Sequence, residues 1–211
     1  MNSIEVNNLS VIQNNQDILK NISFTLEKGS FLNIIGPNGG GKSTLIETIV
    51  GLNKSYTGNF VINEKNINYL PQEVIFKNNF PITVKEVLNL EVNKLNKDEY
   101  IYWLNKLNLN DLLNKNINAL SGGEKKRIFF MRSLLNKPNL LILDEPISAL
   151  DNEYKNQLLN ILVDLNNNGM TIINVTHDLV DLNINCKTLK IDKEIKYYGL
   201  TKNYLNKKEV R

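Results

Sequence analysis

Residues 36–44 of this chain read Gly36-Pro37-Asn38-Gly39-Gly40-Gly41-Lys42-Ser43-Thr44 and satisfy the pattern G-x-x-x-x-G-K-[ST]. An apolar segment with strand character, residues 31–35, precedes this stretch, and a helical pattern begins at Lys42. Glycines let backbone N–H groups turn inward around a phosphate, and a helix N-terminus adds positive potential there. The sequence therefore predicts a nucleotide-binding loop in which Lys42 reaches the β- and γ-phosphates and the Ser43 hydroxyl ligates Mg²⁺.

Composition limits the class of protein, the compartment and the partners that are compatible with this sequence. The chain has 211 residues, of which 42% are hydrophobic and 22% charged, which suits one globular domain and argues against disorder. The single cysteine, Cys186, excludes an internal disulfide framework and fits a reducing compartment. The net charge of +3 is carried by scattered lysines, so we expect no nucleic-acid partner. The sequence predicts neither a signal peptide nor a membrane-spanning segment.

A pair of carboxylates follows the apolar run at residues 140–143, which is typical of a strand buried on both faces of a parallel sheet. In a nucleotide-binding protein of this kind, carboxylates at such a strand end bind Mg²⁺ and polarise water. The pattern predicts that Asp144 binds the metal and that Glu145 acts as general base, or orients the attacking water. Without a phosphate loop, such a pair would more often be a solvated turn.

The only histidine, His177, comes just after a predicted strand at residues 171–175. The carboxyl end of a parallel strand is where α/β proteins place ligands, so His177 is a candidate for contact with the γ-phosphate. A lone histidine is also commonly an incidental surface residue, and its position alone leaves both interpretations open.

A second anion site is predicted where Ser121-Gly122-Gly123-Glu124 opens a helix. Ser121 and Glu124 have the spacing of a capping box. The simpler interpretation is a well-capped helix with a basic solvated face. Two glycines, however, lower helix propensity unless a ligand approaches the backbone closely, and a hydroxyl beside free N–H groups suits an anion.

The order of the motifs predicts an α/β fold with a mostly parallel sheet that bears the phosphate loop. The first third of the chain reads as an antiparallel strand group, and residues 188–198 read as a small hairpin. Helical patterns fill the middle, where Thr83 and Glu86 form another capping-box pair and Val84, Val87 and Leu95 share a face. We therefore expect one domain over 1–211, with a helical subdomain inserted at about 73–135.

With Ser121-Gly122-Gly123 between the phosphate loop and residues 140–146, the chain resembles the ATP-binding cassette (ABC) ATPase family over nearly its whole length. The resemblance implies Mg²⁺-dependent ATP hydrolysis. It also implies that Gln72 is the Q-loop glutamine, with a part in catalysis and at the metal, that Asp151 belongs to the D-loop, and that His177 is the switch histidine. Two subunits would enclose two ATP molecules, so that Ser121 and Gly123 of one touch the γ-phosphate bound by the other.

One position departs from the family. Where its members usually stack adenine on an aromatic ring, this sequence has Gln13 with Ile12 beside it. We therefore expect weaker adenine binding and weaker base selectivity, with phosphate binding unaffected.

The resemblance also implies the partners. The chain would be the detached ATPase of an importer on the cytoplasmic face of the inner membrane, working as a homodimer with a separate membrane permease and an extracytoplasmic substrate-binding protein. A two-part exporter, another importer for an iron chelate or cobalamin, a DNA-repair or translation ATPase and a non-catalytic nucleotide-binding module are the alternatives. One phosphate loop, a short helical insert and an intact Glu145 argue against the last two.

The substrate class is suggested by three stretches, residues 69–72, residues 80–87 and the triple glycine at 39–41, which resemble the zinc/manganese/iron branch of ABC importers. The alternative is that Phe80 and Pro81 only shape the loop before a capped helix. We expect the transported substrate to be zinc or manganese. The chain itself should not bind that metal, because one histidine and one cysteine cannot form a transition-metal site.

Overall fold

The chain folds as layers around a mostly parallel sheet, with a smaller antiparallel sheet and one helix on one face and most of the other helices on the opposite face. The computed structural model describes residues 1–73, 81–89, 97–148, 150–177, 179 and 186–209. The strands in this part of the chain are β1 (Asn2–Gln13), β2 (Gln16–Glu27), β3 (Phe31–Ile35), β4 (Thr57–Ile62), β5 (Ile67–Leu70), β6 (Leu140–Asp144), β7 (Thr171–Val175), β8 (Cys186–Asp192) and β9 (Glu194–Leu200). The helices are α1 (Lys42–Ile49), α2 (Val84–Asn89), α3 (Lys97–Lys106), α4 (Gly122–Leu134), α5 (Asn152–Asn167) and α6 (Thr201–Glu209).

The main sheet has the strand order β5-β6-β7-β3-β8-β9 and is parallel except for the β8–β9 pair. Successive side chains of a strand point to opposite faces, and here both faces are buried. Leu32 and Ile34 of β3 pack in the cluster shared with the antiparallel sheet and α1, whereas Phe31 packs against the helices. This burial explains the unbroken apolar runs, and the predicted α/β class is confirmed.

The antiparallel sheet has the order β2-β1-β4. Val6 of β1 lies opposite Phe24 of β2 on one side and Phe60 of β4 on the other. Alternation of buried and exposed residues along β2 agrees with a sheet that covers the core on one face only. The predicted N-terminal strand group is therefore present.

The chain between β5 and β6 carries α2, α3, two short 3₁₀ turns and α4. The predicted capping box starts α2: the Thr83 N–H donates to Glu86 Oε2 at 2.7 Å and the Glu86 N–H donates to Thr83 Oγ1 at 3.3 Å. Val84 and Val87 are buried as expected, while Leu95 lies outside the described residues. The helical insertion is thus present, and its limits at about 73–135 stay a prediction.

The C-terminal hairpin is confirmed by the antiparallel pairing of β8 with β9, and β8 also joins the main sheet beside β3. Helix α6 was not predicted, because its only apolar anchors are Tyr204 and Leu205 within a polar segment. None of the helices in the described ranges has both the length and the apolar character needed to cross a membrane.

The parallel arrangement places four predicted site segments at one edge of the sheet. Strands β5, β6, β7 and β3 are consecutive neighbours, and their carboxyl ends lead to Gln72, Glu145, His177 and the loop at residues 36–41. Ligands bind at this edge in open α/β sheets.

Candidate nucleotide-binding and catalytic site

The loop between β3 and α1 wraps around the Lys42 side chain. The Lys42 ammonium donates hydrogen bonds to the carbonyl oxygens of Gly36 at 3.0 Å and Pro37 at 2.9 Å. The residue is only 6% exposed. Burial lowers the Lys42 pKa, and the negative charges of Glu145 and Asp144 oppose that shift. The ammonium is therefore positioned inside the loop, where a phosphate would meet it.

Glycine is required at both ends of this loop. A Cβ on Gly36 would lie 1.9 Å from the Ile191 carbonyl oxygen of β8. Gly41, the residue before α1, has φ of +94°, and a Cβ there would lie 2.5 Å from Leu19 Cδ2. A side chain at either position would push the loop away from the strands that support it.

Asp144 ends β6 and is 2% exposed. Burial raises its pKa, while a hydrogen bond from the Ser43 side chain opposes the rise. Its Oδ1 atom has no hydrogen-bond partner among the described residues. A buried carboxylate oxygen left unpaired beside a serine hydroxyl is a donor set that suits a hard divalent cation such as Mg²⁺.

Glu145 has an unusual backbone and a fully engaged carboxylate. Its φ is +51°, and its N–H donates to the Val175 carbonyl oxygen at 2.9 Å. One carboxylate oxygen lies 2.6 Å from His177 Nε2, and the other accepts from Gln72 Nε2 at 3.1 Å. The predicted glutamate, histidine and glutamine therefore form one hydrogen-bonded group across three neighbouring strands.

A cavity of about 600 Å³ lies above the loop. Its described lining consists of Gln13, Ile18, Asn38, Gly39, Gly40, Gly41, Lys42, Ser43, Thr44, Gln72, Glu145 and His177. Phosphate-loop and carboxylate residues thus share one space with Gln13. This lining contains no aromatic ring, and Ile12 points to solvent with 60% exposure. Ile18 is the apolar residue that sequence reasoning missed there.

The second predicted anion site lies outside that lining. Ser121 caps α4: its Oγ accepts from the Glu124 N–H at 3.2 Å, and its own N–H donates to Glu124 Oε2 at 2.8 Å. Hydrogen bonds from the Ser121 backbone and side chain lower the Glu124 pKa. Ser121 and Gly122 are exposed, and Gly123 is half-buried, at the helix N-terminus.

Asp151 is likewise separate from the cavity lining. It caps α5 by accepting from the Tyr154 N–H at 3.0 Å. Ala149, its predicted D-loop neighbour, lies outside the described residues. Ser121, Gly123 and Asp151 therefore do not complete the Lys42 site within one chain.

The basic face of α4 is not solvated as the simpler interpretation held. Lys126 is half-buried and donates to the Glu145 carbonyl oxygen at 2.8 Å. Arg127 lies 4.0 Å from the Tyr154 ring centroid and donates to the Leu107 carbonyl oxygen at 3.0 Å. The sequence signal that could have indicated this burial is the helical spacing that places Lys126 on the same side of α4 as Phe129 and Phe130, which are buried.

A family model described as ABC transporter matches residues 19–148, which is more than half of the chain. This chain belongs to the ABC transporter family. Among relatives of this ABC protein, the zinc uptake system ATP-binding protein ZurA of Listeria innocua is 38% identical over 95% of this chain and 87% of its own length. The zinc import ATP-binding protein ZnuC of Wigglesworthia glossinidia brevipalpis is 39% identical over 84% of this chain and 77% of its own length.

The fold agrees with a solved ABC cassette. The dimeric structure of MJ0796, a bacterial ABC transporter cassette, matches with a TM-score of 0.81 at 25% identity, covering 93% of this chain and 98% of that chain. This ABC protein therefore binds and hydrolyses ATP as the ATP-binding part of a transporter complex.

Proposed function

We propose that the chain couples ATP binding and hydrolysis to the import of a divalent metal ion, zinc or manganese, through a separate membrane permease. The observation that carries this proposal is the 38% identity to the zinc uptake protein ZurA across 95% of the chain. An alignment of that extent spans the helical insertion between β5 and β6, the part of the chain that we expect to meet the membrane partner. The transported metal is the cargo of the complex and is not bound by this chain.

Phosphate binding rests on the loop at residues 36–44. The Lys42 ammonium, already directed at the loop carbonyls of Gly36 and Pro37, moves onto the β- and γ-phosphates when ATP enters. Loop N–H groups and the N-terminus of α1 contribute the remaining positive potential.

Ser43, Asp144 and Gln72 would hold Mg²⁺. The unpaired, buried Oδ1 of Asp144 and the adjacent Ser43 hydroxyl are the features that fit such an ion. When bound, the ion neutralises charge that develops on the β- and γ-phosphate oxygens.

Glu145 acts on the attacking water. It orients the water and accepts its proton as the water oxygen bonds to the γ-phosphorus and the bond to the β–γ bridging oxygen breaks. The products are ADP and phosphate. His177, which contacts the same carboxylate at 2.6 Å, is suited to a γ-phosphate contact once it leaves Glu145.

Two chains would complete two sites. Ser121, Gly122 and Gly123 offer a hydroxyl and a helix N-terminus but are not part of the described lining of their own Lys42 cavity, and a head-to-tail two-fold pair would bring them to the partner's γ-phosphate. Asp151, at the N-terminus of α5, would lie in the same dimer interface. The dimer would work at the cytoplasmic face of the inner membrane, with the permease and an extracytoplasmic substrate-binding protein.

The experiment is metal-dependent growth of a deletion strain. We expect deletion to impair growth under metal chelation, zinc or manganese to restore it, and a plasmid copy of the chain to do the same. A Glu145→Gln copy should fail, whereas Glu27→Gln, a change on the exposed face of β2, should succeed. Unimpaired uptake of both metals in the deletion strain would contradict the proposal and favour an iron-chelate, cobalamin or other substrate.

A further inference from the structure

Lys126 connects two parts of the molecule that are separate in sequence. It lies near the start of α4, the helix that Ser121 caps, yet its ammonium reaches the segment after β6. There it donates to the Glu145 carbonyl oxygen at 2.8 Å and to Ser148 Oγ. Ser148 Oγ donates to the same Glu145 carbonyl at 3.0 Å. Two side chains therefore converge on one main-chain oxygen.

That oxygen belongs to a residue whose backbone needs support. Glu145 has φ of +51°, a region that side-chain-bearing residues seldom adopt without surrounding constraints. Its N–H donates to the Val175 carbonyl oxygen of β7, and its carbonyl oxygen also accepts from the Ser148 N–H at 3.2 Å. The direction of that carbonyl sets the path of the chain and hence the direction in which the carboxylate leaves the backbone.

Simple helix stability does not account for Lys126. A lysine on a helix surface normally extends its ammonium into water. Here burial lowers the Lys126 pKa, against the opposing charges of Glu145, Asp144 and Glu73. The ammonium is therefore retained in a partly desolvated position, where the Glu145 carbonyl and Ser148 hydroxyl replace its hydration.

We propose that Lys126 is a positioning residue that orients the Glu145 carboxylate by binding the Glu145 main-chain carbonyl. Because Lys126 belongs to α4, it also ties the helix that presents Ser121 to the glutamate of its own chain. This inference rests on the proposed role of Glu145 in hydrolysis.

The test is steady-state ATP hydrolysis by the purified full chain and its variants, with thermal unfolding measured in parallel. Lys126→Met keeps an unbranched side chain as far as Cε and removes the donor. We expect kcat to fall roughly 10-fold to 100-fold, the scale of small misplacements of a catalytic group. The KM for ATP should stay within about twofold, because the phosphate contacts of Lys42 are unchanged.

Further variants separate positioning from folding. Lys126→Arg, which keeps a donor, should recover part of kcat, and Ser148→Ala should lower kcat in the same direction by a smaller factor. Lys85→Met makes the same chemical change at an exposed lysine of α2 and should hydrolyse ATP at the wild-type rate. The unfolding midpoints of all four variants should lie close to that of the wild type.

The inference would be overturned by an unchanged kcat in Lys126→Met, by an equal loss in Lys85→Met, or by a loss that appears in KM alone. A Lys126→Met loss that only follows a lowered unfolding midpoint, with no recovery in Lys126→Arg, would also overturn it. Glu145→Gln distinguishes a failure of the proposed general base from a failure of the positioning role of Lys126. If Glu145→Gln retains turnover, the role of Glu145 fails; if it does not, while Lys126→Met is fully active, only the positioning role fails.

Discussion

Replacing Glu145 by Gln tests the chemistry of the site most directly. The carboxylate now accepts from Gln72 Nε2 at 3.1 Å and lies 2.6 Å from His177 Nε2. An amide of the same size keeps only one acceptor oxygen. If that oxygen faces His177, the amide nitrogen faces the Gln72 nitrogen, and Gln72 must rotate to present its own oxygen.

The expected fall in kcat of the Glu145→Gln variant follows from the loss of a general base. Without a carboxylate to accept the proton of water, we expect kcat to fall about 10²–10⁴-fold. That factor corresponds to roughly 3–5 kcal/mol of lost transition-state stabilisation. ATP binding should persist, because Lys42 and its contacts with Gly36 and Pro37 are on a different strand end. The variant should therefore accumulate as an ATP-bound dimer.

The assay combines three measurements on the purified chain: phosphate release, equilibrium ATP binding, and molecular mass with and without ATP. Glu27→Gln is the matched control, since the exposed Glu27 carboxylate forms a surface ion pair with Lys187 at 3.4 Å. Turnover of Glu145→Gln within about threefold of the wild type would refute the assignment of a general base. Loss of ATP binding in the same variant would refute the separation of binding from chemistry.

The remaining predictions concern assembly, base recognition and pH. Because Ser121 lies outside the cavity of its own chain, a dimer of one Lys42→Ala and one Ser121→Arg subunit retains one intact composite site. Mixing the two variants should therefore restore hydrolysis to about a quarter of the wild-type rate, since about half of the dimers are mixed. A fully active Ser121→Arg protein would contradict shared sites. Gln13→Tyr should tighten ATP binding by about fivefold or more, from a stacking gain of roughly 1–3 kcal/mol, and an unchanged Kd would count against Gln13 as the base contact. Hydrogen bonds from Thr83 lower the Glu86 pKa below its ordinary 4.5, so the stability that Glu86 adds should be present above that pH and lost as pH falls through the folded value. Thermal unfolding should therefore separate wild type from Glu86→Ala more at pH 7 than at pH 3, and an equal difference at both would exclude the carboxylate cap.

Local sequence was sufficient for features whose cause is local. The phosphate loop could be predicted because its requirements fall on consecutive residues: glycines at 36 and 41 where the backbone admits no Cβ, then Lys42 at a helix start. The capping boxes at Thr83 and Ser121 were predictable for the same reason, since each joins residues three apart. Helix α6 could not be predicted from the sequence, because its packing against β8 depends on little more than Tyr204 and Thr201.

By itself, then, the sequence determined the α/β class, the nucleotide loop and the carboxylates of this ABC ATPase. Tertiary structure decided which of these residues meet. Gln72 and Glu145 are 73 residues apart, and they bond because β5 pairs with β6, a choice of neighbour that strand periodicity does not encode. The burial of Lys126 and the place of Ile18 in the cavity have the same origin, because packing between distant segments sets the environment of a side chain, whereas a sequence pattern reports only its own element.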